Sequence, residues 1–235
     1  MRQAQDALAA HLDGRALDEE ARPLELWWRD DDLEAASPAL TACLETLGDL
    51  GVAAAFAAIP KTLAETAVAA LDGSGSVLFV HGWSHTNHAP PTEKKCEFGA
   101  GRPLADRLSE IGRGWERLHG LAGERAVACF VPPWNRIGED LLAALDRAPV
   151  VAVSTFASPT GKPVPGATLA TEILEHDGVD GPVGILSHHR VTDPGAWSMW
   201  QPVLRLLCEH PAVRWLTPGE ALARVGVEPG ERRNG

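Results

Sequence analysis

Two histidines four residues apart, His81 and His85, stand at the end of an apolar segment, 76–81, that is typical of a buried strand. Earlier in the chain, a second apolar segment, 24–29, runs directly into Asp30-Asp31-Asp32. Imidazole nitrogens and a carboxylate together form the ligand set of a catalytic Zn²⁺ or a similar divalent ion, with one position left open for water. An acidic turn and two surface histidines would explain each motif separately. Because both motifs stand at strand ends, together they predict a metal site.

The three adjacent carboxylates of Asp30-Asp31-Asp32 repel one another unless a cation lies between them. A divalent ion would let one carboxylate act as a ligand while an ionised neighbour serves as general base. Because side chains alternate along a strand, one of the three is expected to point away from the other two. The alternative is an exposed turn, but an acidic turn rarely follows an apolar strand that ends in an arginine, Arg29.

A rigid segment follows the apolar run 126–132. In Pro132-Pro133-Trp134-Asn135-Arg136, the two prolines favour extended backbone. Such a segment can aim the Trp134 backbone N–H at a reacting carbonyl, where it would stabilise the developing negative charge. A stiff turn with a packing tryptophan is the structural alternative.

Two more places carry histidines that could take part in chemistry. The apolar segment 183–188 ends in His188 and His189, and one of them can point into the mouth of the sheet as general acid, because histidine exchanges protons near neutral pH. His88 lies in the loop 82–102, and a loop of this length in a compact domain is usually functional or mobile. His88 is therefore either a substrate-facing residue or a solvent-exposed one.

Strand-like and helix-like segments alternate along the whole chain. This alternation predicts an α/β fold with a parallel sheet and helices outside it, either open or closed into a barrel. The predicted strands are 24–29, 52–59, 76–81, 126–132, 149–155, 183–188 and 212–216. One predicted helix begins near Ser37-Pro38, and the others are 62–71, 103–119, 137–147, 195–209 and 218–225. We expect three regions: a helical extension at 1–22, the barrel at 23–227 and a tail at 228–235.

Composition restricts the classes of partner. The chain has 235 residues, 45% of them hydrophobic, and a formal net charge of -11, which disfavours nucleic acid and anionic membrane surfaces as partners. The four cysteines are scattered without a C-x-x-C pair, so neither disulfides nor a cysteine-rich zinc site is predicted. The first thirty residues are polar and lack the pattern of a signal peptide, so a cytoplasmic location is expected.

In order and character, these motifs resemble the NodB-homology polysaccharide deacetylases, carbohydrate esterases that remove acetyl groups from sugars. The family's motifs are strand-Asp-Asp, His-x-x-x-His, Arg-x-Pro-Tyr, Asp–Trp and Leu-x-His. Four of the five places are filled here, by Asp31-Asp32, His81-x-x-x-His85, Pro132-Pro133-Trp134 and Leu186-Ser187-His188. The segments 51–56 and 215–221 also resemble the family's second strand and its last strand and helix, so the resemblance covers roughly residues 22–226.

The resemblance implies a distorted (β/α) barrel of about seven parallel strands, a divalent metal that is usually zinc, and hydrolysis without a covalent intermediate. It assigns Asp31 as the base that takes a proton from the attacking water, His188 as the acid, and the Trp134 backbone N–H as an oxyanion donor. It assigns the metal ligands as Asp32, His81 and His85. Residues expected to contact the substrate are His88, Pro133, Asn135, Arg136 and His189.

The chain departs from the family pattern at two motifs. The arginine of the third motif, which pairs with the catalytic aspartate, is replaced by Val131, and no Asp–Trp motif is visible near residues 153–156. We expect Arg29 or Arg136 to supply the missing guanidinium, because a neighbouring cation favours the charged form of a carboxyl group. Arg29 lies two residues before Asp31, so strand alternation puts both on one side. The alternative is that Arg29 pairs with a carboxylate of a neighbouring helix.

The predicted function is metal-dependent hydrolysis of an N-acyl amide on a sugar or a related small substrate, by a divergent, cytoplasmic-type member of this family. Two alternatives remain open: a barrel that binds metal or carbohydrate without catalysis, and an amidohydrolase of the same fold that acts on a non-sugar amide. The oligomeric state is not indicated by the sequence.

Overall fold

Seven parallel strands form one sheet in the computed structural model, which describes residues 2–155, 173, 181–192 and 194–227. Six of them lie in the order β5-β4-β3-β2-β1-β6, and β7 pairs with β1. This sheet, curled and flanked by helices, confirms the predicted distorted (β/α) barrel. The strands are β1 (Leu24–Leu33), β2 (Ala54–Ala58), β3 (Val77–His81), β4 (Ala126–Val131), β5 (Ala152–Val153), β6 (Val183–Ser187) and β7 (Val213–Trp215).

Helices alternate with the strands, as the sequence predicted. Ser37 caps the helix that begins at Pro38 by accepting a hydrogen bond from the Leu40 backbone N–H. The α-helices are α1 (Arg2–Leu17), α2 (Pro38–Leu50), α3 (Glu65–Ala70), α4 (Leu104–Ala122), α5 (Glu139–Leu142), α6 (Pro194–Glu209) and α7 (Pro218–Arg224). Short 3₁₀ turns lie at Gly123–Arg125, Pro133–Asn135 and Leu145–Arg147. Of the described helices, none is long and apolar enough to cross a membrane.

One predicted helix is much shorter than expected. The segment 137–147 forms only α5, of four residues, and a 3₁₀ turn. No side chain caps α5 at Gly138, and Pro149 closely follows the segment. So short an uncapped segment gains little from helix propagation, which explains the difference.

Strand β1 is longer than predicted and has two differently packed faces. It extends to Leu33, so the carboxylates belong to the strand and do not form a turn after it. Leu26 and Trp28 pack in the main core with the helices. Arg29 is paired in register with Ala55 of β2, which belongs to a second core cluster together with Phe79, Cys129 and Val131. The side chains of β1 therefore serve the helical layer and the barrel interior alternately.

The first helix is part of the main core. Leu8 and Leu12 of α1 are completely buried and belong to the same cluster as the sheet residues. Within the predicted extension at 1–22, Arg2–Leu17 is thus helical and packs against the barrel. The predicted tail, 228–235, lies outside the described residues, and the domain boundaries remain a prediction.

Four tryptophans pack together under the sheet. Trp28 stacks on Trp197 and on Trp215, with ring centroids 6.2 Å apart in each case, and its centroid is 6.1 Å from that of Trp200. The Trp28 indole N–H donates a hydrogen bond of 2.8 Å to Ser187 Oγ at the end of β6. Large aromatic rings therefore link β1 and β7 to α6, and the indole hydrogen bond ties β1 to β6.

Candidate metal centre and active site

The predicted metal ligands Asp32, His81 and His85 converge at the ends of β1 and β3. Their ligand atoms all lie within 4.8 Å of one another. Asp32 Oδ1 is 3.1 Å from His81 Nε2 and 3.3 Å from His85 Nε2. Two imidazole nitrogens and one carboxylate oxygen facing a common point are a donor set that fits a divalent cation such as zinc.

The ring of His81 is oriented by the backbone of β4. His81 is buried, and its Nδ1 lies 3.0 Å from the Val131 carbonyl oxygen. Since a carbonyl only accepts, the proton must be on Nδ1, and Nε2 is directed at Asp32. Metal-binding histidines are commonly held in this way, by a hydrogen bond from the nitrogen that does not ligate.

The electrostatics of the three groups favour a charged site. Burial would raise the pKa of Asp32, but the hydrogen bond with His81 and the charges of His81, His85 and His188 lower it to about 2. Burial would lower the pKa of His81, but its bond to Asp32 and the charges of Asp31 and Asp32 raise it. The pKa of His85 is lowered, first by burial and then by the charge of His81. Asp32 is thus ionised and His85 tends to be neutral, as ligands must be, whereas the raised pKa of His81 favours its protonated form, so a bound ion would have to displace that proton.

A buried carboxylate, Glu97, shapes the turn that carries His85. Glu97 is completely buried and accepts hydrogen bonds from the backbone N–H groups of Ser84 (2.8 Å) and His85 (3.1 Å), and from the Ser84 hydroxyl (2.9 Å). A longer bond of 3.4 Å comes from the Trp83 N–H. A Cβ on Gly82, whose φ is +61°, would lie 2.2 Å from Glu97 Oε2, so only glycine fits there. Glu97 was not predicted from the sequence, because no pattern around it marks a buried residue and only the length of its loop suggested a function.

The predicted ion pair between Arg29 and Asp31 is present and buried. Arg29 Nε is 2.9 Å from Asp31 Oδ1, and Nη2 is 3.1 Å from Oδ2. Their exposed fractions are 3% and 1%. The same guanidinium donates bonds of 2.7 Å to Ser154 Oγ and to Asn135 Oδ1. Arg29 therefore pairs with Asp31 from its own strand through two parallel contacts, which hold the orientation of the carboxylate.

A bulge explains why the adjacent residues Asp31 and Asp32 both reach the site. The pairing of β1 with β2 shifts register between Asp30 and Leu33, and Asp32 has a left-handed φ of 70°. Strict alternation would have sent Asp32 to the helical layer. The extra residue of a bulge redirects a side chain in this way, and bulges are frequent beside active sites.

Backbone strain is concentrated at the site. Within the described part of the chain, the non-glycine residues with positive φ are Asp32, His85, Trp134 and Asn135. The rings of His85 and Trp134 are 4.3 Å apart between centroids. A left-handed backbone at a non-glycine residue costs about 1–3 kcal/mol and persists only where the surrounding structure holds it, most often at functional sites. The Pro133–Asn135 turn is therefore held against the metal site at the cost of strain.

The third carboxylate, Asp30, holds the turn after β6. It is fully buried and accepts bonds from Ser187 Oγ (2.5 Å) and the His189 backbone N–H (2.9 Å), and it contacts His189 Nδ1. His189 is only 1% exposed. The backbone N–H and Nδ1 of His189 face Asp30, and its contact with a substrate stays a prediction. His188, by contrast, is half-buried, and its charge contributes to the low pKa of Asp32.

The other predicted substrate residues are placed unequally. Pro133 is buried, next to Gly82, which leaves it little surface for a substrate. His88 is exposed in the long loop and is not one of the clustered ligands. Asn135 and Arg136 line an open cleft of about 550 Å³, whose other walls are Glu93, Lys94, Cys96, Gly99, Ile137 and Gly138.

The fold is similar to those of solved carbohydrate esterases. A family 4 acetyl xylan esterase from Clostridium thermocellum, solved with a cobalt ion, matches with a TM-score of 0.60 and 19% identity over 89% of this chain and 96% of that one. A peptidoglycan deacetylase from Bacillus subtilis matches with a TM-score of 0.61 and 15% identity over 87% and 92%. A family 4 carbohydrate esterase from Streptomyces lividans, in complex with acetate, matches with a TM-score of 0.54 and 17% identity over 78% and 87%.

No protein-family model and no curated protein matches the sequence. The structural matches define the class: the chain has the fold of the polysaccharide deacetylases and family 4 carbohydrate esterases. The predicted resemblance is thereby confirmed at the level of the fold. At identities of 14–19%, the chemistry must be argued from this chain's own residues.

Proposed function

We propose that this protein is a metal-dependent deacylase that hydrolyses the N-acetyl amide of a small acylated sugar, with zinc as the metal. The observation that carries the proposal is the convergence of Asp32, His81 and His85 beside a second carboxylate, Asp31, held by its own arginine. Asp32 would serve as the metal ligand, and its neighbour Asp31, kept ionised by Arg29, would serve as the base. Solved proteins of the same fold are described as acetyl esterases and deacetylases of carbohydrates.

In the proposed mechanism, Asp32, His81 and His85 would hold a divalent ion, which would supply Lewis acidity for the hydrolysis of the amide. Asp31, kept ionised and oriented by Arg29, accepts a proton from that water. The Trp134 backbone N–H donates to the developing oxyanion. His188 gives a proton to the departing amine, which leaves with acetate as the second product.

Two measurements, metal content and acetate release, separate the role of metal binding from that of catalysis. Purified protein should contain about one divalent ion per chain, and Asp32→Asn should lose it, because a ligand is removed. Asp31→Asn and His188→Ala should keep the metal but lower acetate release from N-acetylated sugars by about 10²–10⁴-fold. His11→Ala, an exposed histidine of α1, serves as a control that should change neither quantity.

The outcomes select among the functions. Metal without acetate release from any sugar would favour a binding barrel, and ring opening of a cyclic amide would favour a non-sugar amidohydrolase. Full acetate release by Asp31→Asn would contradict the proposed base.

A further inference from the structure

The open cleft lined by Asn135 and Arg136 also presents cationic side chains, in a chain whose net charge is negative. The sequence contains four lysines, and two of them, Lys94 and Lys95, are adjacent in the loop that forms this cleft. Lys94 and Arg136 line it directly, and Glu93 is the carboxylate among its walls. The chain as a whole has a net charge of -11, so this cleft differs in sign from the average surface.

The cationic cleft is connected to the reacting groups by short contacts. The Lys95 ammonium lies 6.0 Å from the centroid of the Trp134 ring, and that ring in turn packs on His85 with 4.3 Å between centroids. On the other side, Asn135 lines the cleft and accepts a hydrogen bond from Arg29, the partner of Asp31. A substrate held at the metal would therefore extend naturally into the cleft.

The loop that presents the cations is tied to the opposite wall of the cleft. Arg136 donates a 2.8 Å hydrogen bond to the Lys95 carbonyl oxygen, and the Cys96 thiol contacts the Arg136 carbonyl oxygen at 3.5 Å. These contacts hold the backbone of the lysine-bearing loop against the segment that carries Arg136. A group of cations suits an anionic group with several oxygens better than a neutral hydroxyl.

We propose that the cleft binds an anionic group, a phosphate or a carboxylate, on the acylated sugar whose amide lies at the metal. This inference rests on the proposed function, which makes the substrate an acylated sugar, and it adds that this sugar carries a negative charge. Lys94 and Arg136 line the cleft against one carboxylate, Glu93, and Lys95 lies nearby over the Trp134 ring, so the local charge is positive in a chain whose net charge is -11. The enzyme would thereby prefer charged sugars over neutral ones.

Binding can be measured separately from catalysis in the zinc-loaded Asp31→Asn variant. Titration calorimetry would compare N-acetylglucosamine, N-acetylglucosamine 6-phosphate and N-acetylmuramic acid, of which the second carries a phosphate and the third a carboxylate. We expect at least one anionic sugar to bind about tenfold more tightly than the neutral one. Lys94→Gln and Lys95→Gln, each added to this variant, should reduce that ratio by about two- to fivefold. Lys61→Gln removes an exposed lysine before α3 and should leave the ratio as it is.

The results separate the two proposals. Equal affinities for neutral and anionic sugars, no detectable binding of any of them, or a ratio unaffected by both lysine substitutions would overturn the cationic cleft. Comparison of the two anionic sugars shows whether the cleft takes phosphate or carboxylate. If the parent protein releases no acetate while the anionic preference persists, deacetylation fails and the cleft stands.

Discussion

Replacing the buried carboxylate Glu97 tests whether the loop controls metal binding. In Glu97→Gln, one carboxylate oxygen becomes an amide nitrogen that cannot accept, so either the Ser84 N–H or the His85 N–H loses its partner. A hydrogen bond to a charged group contributes about 1.5–3 kcal/mol. The turn that presents His85 should be destabilised by a similar amount.

This loss can be converted into a metal affinity. Since about 1.4 kcal/mol corresponds to a tenfold change in an equilibrium constant, the zinc affinity should fall by about 10–100-fold. The same range is typical when the residue that orients a metal ligand is replaced. Competition with a chromophoric chelator measures the affinity. Glu93→Gln, which removes an exposed carboxylate of the same loop, is the matched control and should bind zinc as the parent does.

An unchanged zinc affinity in a folded Glu97→Gln protein would refute this reasoning, because the turn would then hold His85 without the carboxylate. Folding is checked by circular dichroism and the unfolding midpoint. If Glu97→Gln does not fold, Ser84→Ala keeps the backbone bonds to Glu97 and removes only the hydroxyl contacts with Glu97 and Thr86, each of 2.9 Å, so it should give a smaller loss in the same direction.

Two further predictions concern the ion pair of Asp31 and the turn at Gly82. Arg29→Met leaves Asp31 buried without its cation and should lower the free energy of unfolding, measured by urea titration, by about 3–5 kcal/mol. Arg136→Met should change it by less than about 1 kcal/mol, and equal effects of the two substitutions would mean that Arg29 does not support Asp31. Gly82→Ala should abolish zinc binding, because the added Cβ would clash with Glu97 and Pro133 in a left-handed backbone. Gly112→Ala, within α4, meets open space and should stabilise the protein by about 0.5–1 kcal/mol. Zinc binding by Gly82→Ala would contradict the geometry of the turn.

The convergence of the three candidate metal ligands was predictable from the order of the strands. Apolar segments located β3 near its bounds and β1 at its start, although β1 runs four residues further than predicted, and the carboxyl ends of parallel strands meet at one edge of a sheet. Alternation also placed Arg29 on the side of Asp31, where the structure has it. These inferences need only local periodicity, which a single sequence contains.

The partners of the buried carboxylates were not predictable. Asp30 meets His189 across a separation of 159 residues, and Glu97 reaches back to the turn at Ser84 from within an irregular loop. Such pairings depend on how whole elements pack, and neither side chain carries a periodic signal. The bulge at Asp32 likewise depends on the pairing of β1 with β2 and not on residue type.

The arrangement of aromatic side chains also gives the protein an internal optical reporter. The chain has eight tryptophans and no tyrosine, so its near-ultraviolet emission comes almost entirely from indole rings. Trp28, Trp197 and Trp200 are buried in the core with half-buried Trp215 beside them, whereas Trp134 packs directly on a proposed metal ligand. Zinc titration should therefore perturb the fluorescence of one ring against a steady background, and Trp134→Phe should abolish that change. Metal loading could then be followed in solution without any added label.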